Sequence, residues 1–183
     1  MIARKLAKGT SRMQTKEASY QGSIYTVGHS SIELEEFLNL LNGIEVVVDV
    51  RSIPFSRYAP QFNAHNIKER LEAAGIQYIF MEDEDVGNVL GGEPRNDDCY
   101  ENGKIVYEEV MKKNWYQEGI SRLVELANKR KVAIMCSEED PHKCHRHHLI
   151  TQSLLEEGVT VFHIRRDRTV EKAEKEAVQP TLF

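Results

Sequence analysis

A single three-layer α/β domain, with a mainly parallel sheet of about five strands and helices on both faces, follows from three features of the chain. Short β-branched apolar runs recur along it, the clearest being Ile44–Val50, IEVVVDV, whose near-continuous character suits a strand buried on both sides. Between the runs lie segments with apolar residues at helical spacing. Glycines stand where those segments should stop, at Gly43, Gly75 and Gly158. With 183 residues and 40% apolar content the chain can bury one sizeable core. Residues 23–165 are therefore expected to form the domain, with a basic arm over 1–22 and a charged tail over 166–183.

The arm holds Arg4, Lys5, Lys8, Arg12 and Lys16 against the single acid Glu17, and has no apolar run of the kind a secretory signal needs. Ile24–Val27 is the first strand. Gly28-His29-Ser30-Ser31 follows, with either serine able to cap a helix over about Ile32–Asn42 whose Leu34, Phe37, Leu38 and Leu41 face the sheet. After the strand Ile44–Val50, Pro54 and Pro60 exclude a regular helix from the next loop. Asn63 is a good N-cap for a helix to Ala74, with Ile67 and Leu71 inward. Ile76–Met81 is the third strand, and 82–103 a long polar connection, a length usually kept for function or mobility. Ile105–Arg130 is helical in composition, with a break expected near Gly119. Val132–Met135 and Val159–Ile164 complete the strands.

Most of the chemically unusual residues fall in one stretch, Val132–His148, VAIMCSEEDPHKCHRHH. It predicts strand, loop and helix, with Asp140 as N-cap and Pro141 at the first helical position, where no N–H donor is needed. Such junctions lie at the carboxyl edge of parallel sheets, where ligands bind. Three cysteines at irregular spacing, without a signal peptide, point to reduced thiols and a cytoplasmic setting. No apolar run approaches the roughly 20 residues that span a bilayer, and a net charge of −5 argues against a wholly basic nucleic-acid coat.

The chain resembles the DUF488 family, a group of α/β proteins without an established general activity. The resemblance runs from Ile24 to about Ile164 and rests on Val27-Gly28-His29-Ser30, Asp49-Val50-Arg51-Ser52, Ser56-Arg57, Gln61-Phe62-Asn63, Leu90-Gly91-Gly92, Cys136-Ser137-Glu138 and Cys144-His145-Arg146. It implies a compact α/β fold with these motifs gathered at one edge. It implies no reaction.

Chemistry at that edge is expected to be that of a nucleotide or nucleic-acid-processing enzyme. Arg51, Arg57, Arg95 and Arg146 offer planar donors that match phosphate, and Asp49 or Glu138 could take a proton. Asp49, Arg51, Cys136 and Glu138 are the candidate catalytic residues. Gly28, His29, Ser30, Arg57, Gly91, Gly92, Arg95, Cys144, His145 and Arg146 are the candidate substrate-binding set. One alternative is a thiolate enzyme of rhodanese-like or Cys-phosphatase-like type, since a cysteine at a strand end or in a helix's first turn has its pKa lowered; nine residues separate Cys136 from Arg146, however, and acids occupy that loop. The spacing of Cys136 and Cys144 fits no standard zinc pattern, so no metal and no other cofactor is expected. The other alternative is a non-enzymatic, nucleic-acid-associated adaptor. Gln179-Pro180-Thr181-Leu182-Phe183 looks like the peptide by which bacterial repair proteins dock on the sliding clamp, with Leu182 and Phe183 as apolar anchors and Gln179 as polar contact.

Overall fold

The computed structural model describes residues 22–95 and 97–177. In chain order the elements are β1 (Ser23–Gly28), α1 (Leu34–Leu40), β2 (Val46–Asp49), α2 (Ala64–Ala73), β3 (Gln77–Phe80), the short hairpins β4 (Glu82–Asp83) with β5 (Gly87–Asn88) and β6 (Tyr100–Glu101) with β7 (Lys104–Ile105), then α3 (Tyr107–Met111), α4 (Asn114–Ala127), β8 (Val132–Cys136), α5 (Gln152–Glu156), β9 (Thr160–Ile164) and β10 (Val170–Lys172). The large sheet has the order β10-β9-β1-β8-β2-β3. Every neighbouring pair is parallel except β10 on β9.

Alternate residues of the central strands feed two cores. Val47, Ala133 and Met135 pack with Phe37 of α1 and Ile67 and Leu71 of α2 on one face. Val46, Val48, Ile134 and Leu123 of α4 meet Leu149, Ile150 and Leu154 on the other. Both faces of β2 and β8 are covered, which is why their sequences are apolar without alternation. The α/β fold and its largely parallel sheet are as the sequence predicts, and the sheet gains a sixth strand. The segment from 166, expected as tail, turns at Arg168 (φ 70°) and returns as β10, after which Ala173 is buried. Arg165 holds this turn by bridging Glu139 and Glu171.

Several element ends differ from expectation for local reasons. Ser30 does not cap α1; it adopts a left-handed φ of 46° and donates its N–H to the Ser137 carbonyl at 2.7 Å, and the helix starts after Glu33. Asn63 occupies the N-cap of α2, but its Oδ1 accepts from Ser56 N at 2.6 Å and so closes the preceding loop. Gly119 lies inside α4, and the break falls earlier, between α3 and α4. A Cβ on Gly119 would stand 2.9 Å from Val89 Cγ2, so the glycine serves close packing of the 86–92 loop on the helix. Asp140 does cap, accepting from His142 N at 3.1 Å, yet what it caps is a 3₁₀ turn, Pro141–Lys143. The chain then winds as a π-helix over Arg146–Thr151 before α5 begins. No helix among the described residues is long and apolar enough to cross a membrane. Gln179, Leu182 and Phe183, like most of the basic arm, lie outside the described residues.

Candidate functional site

Parallel pairing of β1, β8 and β2 brings three sequence motifs to one edge. Gly28 sits opposite Cys136, and Asp49 opposite Met135. A Cβ on Gly28 would stand 1.7 Å from the Glu138 carbonyl oxygen, so only glycine lets the Ser137–Glu139 loop cross the end of β1. Arg146 anchors that loop from below. Its guanidinium donates to the carbonyls of Glu138 and Glu139 and, through Nε, to Thr26 Oγ1 at 3.3 Å. Its side chain is wholly buried. Arg146, expected among the substrate-binding residues, is thus placed behind the loop, its guanidinium engaged by backbone carbonyls and Thr26 and outside the cavity wall.

Arg51 leaves the end of β2 and forms a fork with Asp49, with Nε to Oδ1 at 2.8 Å and Nη2 to Oδ2 at 2.5 Å. Burial works against the guanidinium's charge, but the Asp49 hydrogen bonds and charge more than offset it and raise its pKa. The Asp49 oxygens also accept from Arg51 N and from the Tyr78 hydroxyl. Burial, together with Asp49, pushes the Tyr78 hydroxyl well above its ordinary pKa, so it stays a donor. His29 completes the group. Its Nδ1–H donates to Ser30 O at 2.7 Å, which leaves Nε2 to accept from Arg51 Nη1 at 3.2 Å. Burial is the main cause of its pKa falling to about 4, and the ring is neutral at pH 7.

Beyond Arg51 a cavity of about 310 Å³ opens at the sheet edge. Cys136, Cys144 and His145 form part of its wall, with Arg51, Lys143 and Tyr107 around them and Glu93 and Glu138 among the remaining lining residues. His145 Nε2 lies 2.8 Å from the Val50 carbonyl, which can only accept, so this nitrogen carries the proton. In the neutral ring Nδ1 then presents its lone pair, and it stands 3.8 Å from both Cys136 Sγ and Cys144 Sγ. All three ligand-type atoms lie within 4.8 Å of one another. All three cysteines are free thiols. The hydrogen bond from Cys144 lowers the Cys136 pKa despite burial, while the same partnership, with burial, pushes the Cys144 thiol up to about 12.

The expected site residues thus divide. Arg51, Gly92, Cys136, Glu138, Cys144 and His145 meet at the cavity. Asp49 and His29 are buried behind Arg51 and orient it, and Ser30 belongs to the turn beside β1. A Cβ on Gly92 would stand 2.6 Å from His145 Cγ, and one on Gly91 3.0 Å from the Asn88 carbonyl oxygen, so both glycines serve close packing. Arg57 is exposed on its loop, outside the cavity wall. Arg95 turns away to Glu82 and to the Glu84 carbonyl. Sequence reasoning missed Asn88, whose amide donates to the carbonyls of Asp49 and Arg51 while its Oδ1 accepts from Leu90 N, tying the glycine loop to the end of β2. It also missed Tyr107 and Lys143, and a lone polar residue in a polar stretch gives no signal of such a role.

No curated protein and no solved structure matches the chain. The family model described as "Domain of unknown function DUF488" matches residues 33–152, which takes in β2, β8 and the Cys136–His145 cluster and leaves out β1 with its His29 turn. The chain belongs to the DUF488 family.

Proposed function

We propose that the domain is an enzyme acting on a phosphate-bearing ligand of nucleotide or nucleic-acid type, with Cys136, Cys144 and His145 as its reacting centre. The observation that carries this is the meeting of two thiols and an oriented imidazole in the wall of a cavity beside Arg51. Buried cysteines in a core have no need of such company.

Arg51 is the anchor for the anion. Asp49 and His29 engage three of its five N–H donors, which fixes the plane of the fork and leaves two for a ligand. Lys143 adds charge from the rim, 79% exposed. Of the four arginines expected to clamp phosphate, only Arg51 remains in that role, so the ligand carries a small anionic group at this end. Ile53 lines the cavity, and the same loop exposes Phe55, Arg57 and Tyr58, the last 98% exposed. Exposed aromatic and basic side chains beside an anion site suit a base or single strand that stacks on them. Glu138, whose side chain is exposed at the wall, is the carboxylate placed to move a proton. Asp49 is not, because both its oxygens are taken.

The test is a turnover screen of mononucleotides, dinucleotides and short single-stranded oligonucleotides with the whole chain, repeated with Cys136→Ser. Turnover by the wild type that Cys136→Ser abolishes, while the melting temperature holds, supports the assignment. Absence of turnover across the screen, or activity indifferent to Cys136, overturns it.

A further inference from the structure

The geometry points to a resident metal: we infer that Cys136, Cys144 and His145 are three ligands of one divalent, thiophilic cation of zinc type, whose fourth position opens on the cavity. This rests on the cavity being the reacting site, and it departs from the metal-free site expected from the cysteine spacing.

Four observations carry it. The donor set is two sulfurs and one imidazole nitrogen, the soft and borderline ligands that select zinc-like ions over magnesium or calcium. The three atoms lie within 4.8 Å of one another, with Nδ1 3.8 Å from each sulfur. Tetrahedral zinc, with Zn–S of about 2.3 Å and Zn–N of about 2.0–2.1 Å, requires S···N separations of roughly 3.5–4 Å. The cluster is therefore spaced for a shared ion and needs only small adjustment.

The third observation is how the imidazole is held. Donation of Nε2–H to the Val50 carbonyl at 2.8 Å commits Nδ1 to act as the ligand atom. Metal-bound histidines nearly always donate their second N–H in this way, because the bond fixes both tautomer and ring direction. Gly92 packs against the other side of the ring, so the orientation is held from two sides.

The fourth is that all three residues line the cavity. A structural zinc closes its tetrahedron with a fourth protein ligand, whereas a catalytic one keeps a position for water or substrate. Among the described residues, no fourth histidine, cysteine or carboxylate joins this group. Three protein ligands facing an open cavity are the arrangement of a catalytic centre. There the cation would polarise a substrate oxygen or activate a bound water, with Arg51 positioned for the anionic part of the substrate.

Cys136 and Cys144 are separated by more than a zinc knuckle allows because the knuckle is not what brings them together. Asp140 turns the chain through Pro141–Lys143, and Arg146 ties the loop carbonyls down, which carries Cys144 back to the end of β8. Tertiary structure does the work of short spacing.

Cobalt(II) titration of the metal-stripped, reduced full-length protein tests this without reference to activity. Expected are a thiolate-to-cobalt charge-transfer band in the near ultraviolet and intense visible bands of a tetrahedral ion, saturating at about one cobalt per chain and displaced by zinc. The charge-transfer band should vanish in Cys136→Ser/Cys144→Ser and weaken in His145→Gln, and persist in Cys99→Ser, whose cysteine lies elsewhere in the core. Elemental analysis of protein purified without chelator should find the native ion. Absence of the band in folded wild type, or its survival in the double variant, overturns the metal site. The two inferences fail separately. Cobalt bound through the thiols with no turnover in any screen leaves the metal and removes the enzyme. Turnover that needs Cys136 in protein shown to be metal-free leaves the enzyme, with Cys136 acting as a free thiolate, and removes the metal.

Discussion

A methyl group on Gly92 would stand 2.6 Å from Cγ and 2.8 Å from Cβ of His145, atoms too close to the backbone to swing aside. Gly92→Ala should therefore displace the imidazole from the two sulfurs. Because a shift of about 1 Å in a reacting group can cost on the order of 10²-fold, turnover should fall by about that factor, and the melting temperature should fall as well, since the packed loop has to give way. Steady-state kinetics beside a thermal melt checks this, and a variant with unchanged kcat would show that His145 is not held for chemistry. Residues are only partly legible from the sequence at this scale. Cys136, Cys144, His145 and Arg51 stand out because thiols, imidazoles and a charge at a buried strand end need a reason. Arg146 and Asp49 stand out equally, although neither lines the cavity. A sequence cannot distinguish a buried arginine that holds carbonyls from one that faces solvent, because both are strong donors next to a loop.

Elements are tied together behind the site by a chain of buried polar groups. Arg146 Nε donates to Thr26 Oγ1 on β1; that hydroxyl pairs with His163 Nδ1 on β9 at 2.7 Å, and His163 Nε2 meets His147 Nδ1 on the π-helix at 3.0 Å. A π-turn widens the helix and lets both Arg146 and His147 point inward. Burial first, and then repulsion from Arg146 and from the His147 ring were it protonated, lowers the His163 pKa to about 3, and burial lowers that of His29 to about 4. Both groups ordinarily titrate at 6.5, so in this window the unfolded chain binds protons that the folded one refuses. Stability is fully present above about pH 6.5 and falls as pH drops toward 4. The loss is several kcal/mol in all, since each tenfold difference in proton affinity between the two states is worth about 1.4 kcal/mol. Urea unfolding between about pH 7.5 and pH 5 reads this directly, before most carboxylates titrate. His163→Gln should flatten the slope whatever it does to absolute stability. An unfolding free energy independent of pH over that range would show that these rings are not buried neutral. Helical and strand segments are legible in the sequence because their apolar spacing is periodic. The π-turn and the 3₁₀ start are not, since Asp140-Pro141 signals a beginning and not the kind of helix that follows.

At the scale of the whole molecule, the cavity draws on the 51–53 loop, the 92–93 loop, Ile105, Tyr107 and the 136–145 segment, which meet because β2 and β8 are parallel neighbours. The α/β class and the carboxyl-edge location can be read from strand runs and helix stops, as local patterns that alternate along the chain. The composition of the site cannot, because C-x7-C hides a pair of cysteines that only tertiary packing brings beside His145. Cys136, Cys144 and His145 are proposed to act as one unit on the ligand in that cavity. The most direct measurement is turnover by Cys136→Ser, Cys144→Ser and His145→Gln, singly and together, on the substrate that the nucleotide screen identifies, with folding of each variant checked by its melt. Groups that work as a unit lose nearly everything with the first removal. Each single change should lower kcat by on the order of 10³-fold, and the triple variant should be no slower than the worst single one. Modest losses that multiply from one variant to the next, in proteins that remain folded, would contradict it.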